Sequence, residues 1–270
     1  MVLRHVWLLP VATVIFNVIS VLCGYIIGVA HGHFPPILPY ISNGGEKLPE
    51  APIFAIFLNI ASFFFVVTVY MRHRQIVEYY AHRLNWKKTR WYMVSLVFMC
   101  IGFASAIGGL MVANFRLSEM KLVHGIGAIL AFVGMVVYAW GQTIIGYALV
   151  PRMTPLSVNH FRLFLVIMAA CFMILYELAS MFKVFIPKSA GPPPGSWQDF
   201  KWYPMDSPFF QNFVIAASAE WGMTIVMQLF YVTFAVEMRL ANARAPHWVW
   251  KHSDDESEGV KTVSEFVSRL

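Results

Sequence analysis

The chain has 270 residues, of which 59% are apolar and only 13% are charged, and its mean hydropathy is +0.62. Soluble domains carry about 25% charged residues, so this composition excludes an ordinary soluble globular protein and is typical of a polytopic membrane protein. With the composition of a membrane protein, we expect the net charge of +6 to mark one side of a bilayer rather than a nucleic-acid site.

Six apolar runs follow one another along the chain, each long enough to supply the about 20 helical residues that cross a bilayer. They predict spans at about 7–30, 52–71, 91–113, 123–149, 160–183 and 210–236. The first run is longer than the apolar core of a signal peptide, so we interpret it as an uncleaved span. The sequence therefore predicts an all-α polytopic membrane protein, with six transmembrane helices in one bundle over 1–238 and a cytosolic tail over 239–270.

Basic residues are distributed unevenly between the two sides of this predicted bundle. The loops on the side of the two termini hold more than twice as many Lys and Arg residues as the loops on the opposite side. Because Lys and Arg concentrate in the cytoplasmic loops of membrane proteins, the pattern predicts that both termini are cytosolic. The loops 31–51 and 184–209 then face the opposite, exofacial side.

Four polar side chains are predicted at similar depth in the exofacial half of the bundle, namely Asn59, Asn114, His124 and Glu220. A carboxylate near the middle of a bilayer costs about 2.5–3.5 kcal/mol, so we expect Glu220 to face the bundle interior, with His124 or Asn59 as its partner. A protonated Glu220 that only supports helix packing is the alternative. The four residues form a candidate exofacial polar core to which the sequence assigns no role.

The segment 72–90 between the second and third spans combines cations with an apolar stripe at Ile76, Tyr80 and Leu84. Such a segment suits the surface of an anionic leaflet, where each Lys or Arg contributes about 1 kcal/mol. Topology alone explains the same charges, and both interpretations stay open. The candidate contacts with anionic lipid are Arg72, Arg74, Arg83, Lys87, Lys88 and Arg90.

The tail contains Ser253 followed by two Asp and one Glu, an acidic context that makes Ser253 a candidate phosphosite. The tail is also the candidate site for a cytosolic partner. No P-loop, nucleophile elbow or paired-carboxylate motif is recognisable, and the His, Cys, Asp and Glu residues show no metal-ligand spacing. We therefore expect no metal and no cofactor, and a non-enzymatic protein, with enzymatic activity left open.

Several short motifs resemble one known family. Val112-Ala-Asn-Phe115 and Val123-His124-x-x-Gly127-Ala128 flank the turn between the third and fourth spans. Leu38-Pro-Tyr-Ile-Ser42 lies in the first exofacial loop, and Glu220-Trp221 with Phe230-Tyr-x-Thr-Phe234 lies in the last span. Together, over about residues 7–238, these motifs resemble the damage-regulated autophagy modulator (DRAM) family within the wider Frag/DRAM/Sfk group.

This resemblance implies six spans with cytosolic termini, in a protein of the lysosomal or endosomal membrane that modulates autophagy. We expect it to act through membrane lipids, anionic phospholipids among them, or through partner proteins, and not through nucleic acid. The wider group implies two alternatives. One is a factor that remodels the lipid of GPI anchors in the Golgi or ER, with His124 and Glu220 as an acid–base pair. The other is an Sfk-like regulator of a phosphatidylinositol 4-kinase at the plasma membrane, acting through 72–90 and the tail.

Overall fold

The computed structural model describes residues 2–3, 5–83, 90–191, 203–239 and 243–244. Six helices in these residues are long and apolar enough to cross a membrane, which confirms the predicted six-helix polytopic fold. They are α1 (Leu8–Ala30), α2 (Glu50–Val77), α3 (Arg90–Asn114), α4 (Lys121–Ala148), α5 (Leu156–Ser180) and α6 (Phe210–Met238). Each coincides with one predicted span, and the largest differences are that α2 continues through a π-helical turn, Glu78–Arg83, and that α5 begins earlier than expected.

The helices pack in chain order as a closed ring, in which each contacts the next and α6 returns to α1. A two-residue antiparallel pairing of β1 (Val2–Leu3) with β2 (Ala243–Arg244) joins the segments that flank α1 and α6. We call this end of the ring the terminal end, and the opposite end, with the loops after α1, α3 and α5, the loop end. Whether the terminal end is cytosolic stays a prediction from the basic residues.

The outer surface of the ring is apolar on every helix. Large hydrophobic side chains that would be unfavourable in water are exposed all around it, among them Leu22, Ile56, Val97, Ile129, Phe164 and Ile225. Continuous exposed apolar surface of this kind marks a contact with a membrane. The polar side chains with chemical interest must then lie at the ends of the ring or inside it.

The helices α3 and α4 approach each other closely at small residues. A Cβ atom placed on Gly108 would lie 2.4 Å from the main-chain nitrogen of Ala131, and one on Gly127 would lie 3.1 Å from the carbonyl oxygen of Gly108. Ser105 Oγ donates a 2.9 Å hydrogen bond to the carbonyl of Ala131. Small residues allow such contacts between membrane helices, where van der Waals packing and hydrogen bonds replace the hydrophobic effect as the source of stability.

The interior of the ring differs between its two ends. Towards the terminal end it is filled by large buried side chains, namely Phe65, Val69, Tyr138, Met227, Phe230, Tyr231 and Phe234. Several of these rings meet edge to face, as Phe230 and Phe234 do with centroids 5.3 Å apart. Towards the loop end the interior is open, and this open part is the candidate functional site.

Candidate functional site

A cavity of about 860 Å³ lies inside the ring and extends from the loop end past the middle of the helices. All six helices contribute to its wall, which is mainly apolar and aromatic. The apolar lining includes Val21, Phe54, Leu58, Phe65, Val112, Phe132, Met135 and Tyr231. The volume falls in the range of about 300–1,000 Å³ that is usual for small-molecule sites. The cavity can therefore hold a ligand of that size.

The loop after α1 lies over the cavity and is held there by α6. The main-chain N–H of Ile41 donates to Glu220 Oε2 at 3.0 Å, and the indole N–H of Trp221 donates to the carbonyl of Pro39 at 2.8 Å. The turn rests closely on α1, since a Cβ atom on Gly24 would lie 3.0 Å from Gly44 Cα. The observed hydrogen-bond partner of Glu220 is thus a backbone amide, and the expected pairing with His124 or Asn59 is not formed.

Tyr40, in the same loop, places its ring in the cavity wall. Its ring centroid lies 5.1 Å from that of Phe213, edge to face. Burial raises the pKa of the Tyr40 phenol, and the neighbouring Glu220 and Tyr203 raise that pKa further. The phenol therefore stays neutral at physiological pH, so Tyr40 adds an uncharged hydroxyl to the cavity wall.

His124 also lines the cavity, where the turn between α3 and α4 ends and α4 begins. Its Nδ1 lies 2.7 Å from the carbonyl oxygen of Phe115, so this nitrogen carries the proton and donates. His124 and Glu220 thus face the same cavity, but each makes its hydrogen bond to a different backbone group. The geometry does not support an acid–base pair between them.

Asn59 and Asn114 form a separate pair at the contact of α2 with α3. Each side-chain amide donates to the other's oxygen, at 3.2 Å and 2.8 Å, and Asn114 also donates to the carbonyl of Leu110 at 2.7 Å. Neither residue lines the cavity. The four residues predicted as one polar core thus form two groups, one inside the ring and one on a helix contact.

A buried carboxylate outside the predicted polar core lies at the loop end. Glu50, the first residue of α2, is 0% exposed, and its Oε1 lies 2.5 Å from Nδ1 of His33. The ring of His33 stacks on that of His31 with centroids 5.8 Å apart. Among the described residues no group of three or more His, Cys, Asp and Glu side chains could hold a metal ion.

The prediction that Arg72 contacts anionic lipid is wrong. Its guanidinium is buried inside the ring and cannot reach lipid headgroups. It is 1% exposed and donates to Glu237 and, at 3.0 Å, to Gln142 Oε1. Of the other candidate lipid contacts, Arg74 donates to the hydroxyl of Tyr70 at 3.3 Å and Arg90 is exposed. The remaining predictions, for the side chains of Arg83, Lys87 and Lys88 and for Ser253, lie outside the described residues.

Arg72 belongs to a buried cluster at the terminal end, which we call the ion cluster and which consists of Arg72, Arg162, Glu237 and Thr154. Arg162 is 0% exposed and donates to Glu237 Oε1 at 2.6 Å, and Thr154 donates to the same oxygen. The cluster joins α2, α5, α6 and the turn before α5. Sequence reasoning missed it because the predicted sixth span ended at 236, one residue before Glu237.

The closed ring of apolar helices around an internal cavity defines this molecule as a polytopic membrane protein with a ligand-sized interior site. The chain belongs to the family described as the Frag1/DRAM/Sfk1/Cwh43P N-terminal domain, whose model matches residues 5–241. This confirms the resemblance read from the motifs.

The similar curated proteins cover most of the chain. It is 30% identical over 236 residues to DNA damage-regulated autophagy modulator protein 2 of Bos taurus, covering 87% of this chain and 85% of that protein. It is 28% identical over 242 residues to DNA damage-regulated autophagy modulator protein 1 of Homo sapiens, covering 90% and 94%. Modulator of macroautophagy TMEM150B-B of Xenopus laevis is 25% identical over 232 residues, with 85% and 84% covered. No solved structure matches the chain.

Proposed function

We propose that this protein is a multi-pass protein of the lysosomal or endosomal membrane that modulates autophagy by holding a membrane lipid inside its helix ring. The cellular part of the proposal is supported by family membership and by relatives, similar over nearly their whole length, whose names describe autophagy modulators. The observation that carries the molecular part is the cavity of about 860 Å³.

The cavity favours a lipid over other occupants because of its walls and its position. Its lining is mainly apolar and aromatic, and water fills a cavity stably only where polar groups can bind it. Hydrocarbon chains make favourable dispersion contacts with apolar walls of this kind. Since the cavity lies within helices that cross the bilayer, membrane lipid is also the apolar molecule present at the highest local concentration. With cytosolic termini, the loop end of the cavity would lie on the lumenal side of the membrane.

The proposal is tested with two Trp substitutions on the same helix. Gly125 lines the cavity, and a Cβ atom placed on it would have no neighbouring atom within 4 Å, so Gly125→Trp fills the cavity without a backbone clash. Ile129 is 52% exposed on the outer face, so Ile129→Trp adds the same bulk where lipid surrounds the ring. The two variants therefore differ in whether the cavity is filled.

Cells that lack the gene are complemented with the wild type or with either variant, and lysosomal turnover of an autophagy marker is measured. The tagged proteins are imaged against lysosomal, Golgi and plasma-membrane markers. We expect all three to reach lysosomes, and only Gly125→Trp to fail to restore the turnover. Normal turnover with Gly125→Trp would contradict the lipid-binding mechanism. Residence of the wild type in the Golgi or plasma membrane would instead favour the lipid-remodelling or kinase-regulating branch.

A further inference from the structure

We infer that the lipid in the cavity is an anionic phospholipid, with an acyl chain inside the ring and its phosphate among three lysines at the loop end. This inference rests on the proposed lipid-binding function and adds the chemical class of the ligand. The three residues, Lys121, Lys183 and Lys188, all line the cavity. We call them the lysine group.

The lysine group lies where the helices end, which is the depth of lipid headgroups. Lys121 is the first residue of α4, Lys183 comes shortly after the end of α5 at Ser180, and Lys188 begins a one-turn helix. Since α4 and α5 are neighbours in the ring, the start of α4 and the end of α5 lie side by side at the loop end. A phosphate held there stays at the membrane interface while its acyl chain extends into the ring.

The membrane topology does not account for the lysine group. On the exofacial side of membrane proteins, Lys and Arg are scarce near the spans. The described part of the loop end contains five such residues, and three of the five line the cavity; the five are Lys47, Arg116, Lys121, Lys183 and Lys188. Their concentration around one opening, on the side where few cations are expected, indicates an anionic ligand.

The acidic residues of the loop end leave the opening of the cavity positive. Among the described residues of the cavity wall, Glu220 is the one carboxylic acid, and its Oε2 already accepts a hydrogen bond from the N–H of Ile41 at 3.0 Å. Glu46 does not line the cavity, and its Oε1 accepts from the N–H of Leu117 at 2.8 Å. Three cations against one carboxyl group favour an anionic headgroup at the opening and oppose a cationic one.

The length of the cavity fits a lipid of one leaflet. On α4 the lining extends from Lys121 to Met135, which corresponds to about 21 Å along a helix. One leaflet provides half of the hydrocarbon core, which is about 30 Å thick in total. Beyond His124 the lining residues of α4 are small or apolar, namely Gly125, Ala128, Ala131, Phe132 and Met135. The wall therefore offers a charged contact at one end and a leaflet's length of apolar surface beyond it.

Binding to the purified full-length protein in a non-ionic detergent tests this inference with three probes. Oleoyl lysophosphatidylglycerol is anionic, oleoyl lysophosphatidylcholine has the same chain and phosphate but no net charge, and glycerol 3-phosphate has the phosphate without the chain. Affinity is measured from the ligand-dependent rise of the unfolding temperature.

We expect the anionic lipid to bind at least about tenfold more tightly than the choline lipid, because each lysine close to an anionic lipid contributes a factor of about five. High salt should reduce this preference, since it screens exposed charges. Glycerol 3-phosphate should bind more weakly than either lipid, because it buries no apolar surface.

Variants of the lysines separate recognition from folding. Lys121→Gln combined with Lys188→Gln removes two charges at exposed positions, so it should weaken the anionic lipid by about tenfold or more and leave the choline lipid unchanged. The unchanged affinity for the choline lipid reports that the cavity is still folded. The matched control is Lys47→Gln, at an exposed lysine of the same side that does not line the cavity, and it should change neither affinity. Gly125→Trp, which fills the cavity, should abolish the binding of both lipids.

Other outcomes would overturn the inference in distinguishable ways. Equal affinity of the wild type for the two lipids would refute recognition of an anionic headgroup and leave the lipid-binding cavity standing. A preference for the anionic lipid that survives in the double lysine variant, or an equal loss of both lipids in it, would refute the role of the lysine group. Glycerol 3-phosphate binding as tightly as the anionic lipid would show a site for a soluble anion. If neither lipid binds the wild type, or if Gly125→Trp binds both as the wild type does, the proposed lipid-binding function fails together with the inference.

Discussion

Replacing Glu237 by Gln is expected to destabilise the protein strongly, because this residue is the anion of the ion cluster. Arg72 and Arg162 are both buried, at 1% and 0% exposure, and both donate to the Glu237 carboxylate. One further nitrogen of each guanidinium is already without a partner. Glu237→Gln would leave two buried cations without a counter-charge, and breaking a buried pair in this way costs about 3–5 kcal/mol.

Removing one cation from the ion cluster is expected to cost less than removing its anion. Arg72→Met removes one cation but leaves Glu237 paired with Arg162 and Thr154, and a methionine can keep the contact that Arg72 makes with the ring of Phe234. After Arg72→Met the ion cluster holds one cation and one anion, Arg162 and Glu237, so no buried charge is left without a counter-charge. Arg72→Met should therefore be clearly milder than Glu237→Gln.

Thermal unfolding of the purified variants in detergent measures this order. A loss of about 3–5 kcal/mol corresponds to a fall on the order of 10 °C in the unfolding temperature of a chain of this size. The matched control is Glu119→Gln, since Glu119 pairs with Arg116 at 3.2 Å on the surface and is 65% exposed. Exposed pairs contribute about 0–1 kcal/mol, so the control should change little. If Arg72→Met lowers the unfolding temperature as much as Glu237→Gln, the assignment of Glu237 as the required counter-charge is wrong.

Three further predictions concern packing and the loop end. Gly108→Val should abolish the monodisperse peak in size-exclusion chromatography, because its Cβ would lie 2.4 Å from the backbone of α4, whereas Gly125→Val, with no atom within 4 Å, should elute as the wild type does. Asn59 and Asn114 are replaced by alanine, alone and together, and the free energy of unfolding of each variant is measured. The double-mutant cycle should give a coupling energy of about 0.5–1.5 kcal/mol. Additive effects would show that the two hydrogen bonds between these residues contribute nothing to stability. Trp221→Phe removes the indole donor that holds the loop after α1, so this loop should be cleaved faster in limited proteolysis at an unchanged elution volume; an unchanged cleavage rate would contradict its role.

The sequence predicted the fold well because a bilayer imposes simple rules on chain length and polarity. Spans must supply about 20 apolar residues, so composition along the chain locates them. The same rule left Glu237 and Glu50 just outside the predicted spans 210–236 and 52–71, because each span was bounded where its apolar run ended. In the structure both carboxylates are buried at helix ends, where a partner from another part of the chain pairs with each. Such partners depend on tertiary contacts that hydropathy does not contain.

The polar core shows a different limit of the sequence. Depth in the membrane follows from position along a helix, at about 1.5 Å per residue, so Asn59 and Glu220 could be placed at similar levels. The direction in which each points around the ring depends on which helices become neighbours. The partner of Glu220 is the backbone N–H of Ile41, and a backbone group leaves no side-chain signature to recognise.

The two ends of the ring depend on each other. Membrane helices gain little from the hydrophobic effect when they associate, so a ring with an open interior needs specific contacts elsewhere. At the terminal end, the ion cluster connects α2, α5 and α6, and Gln142 extends the hydrogen bonds to α4. These bonds join helices across the ring, and the aromatic side chains around them fill the interior. Because the helices are joined there, they can stay apart at the loop end, where the cavity requires an open interior.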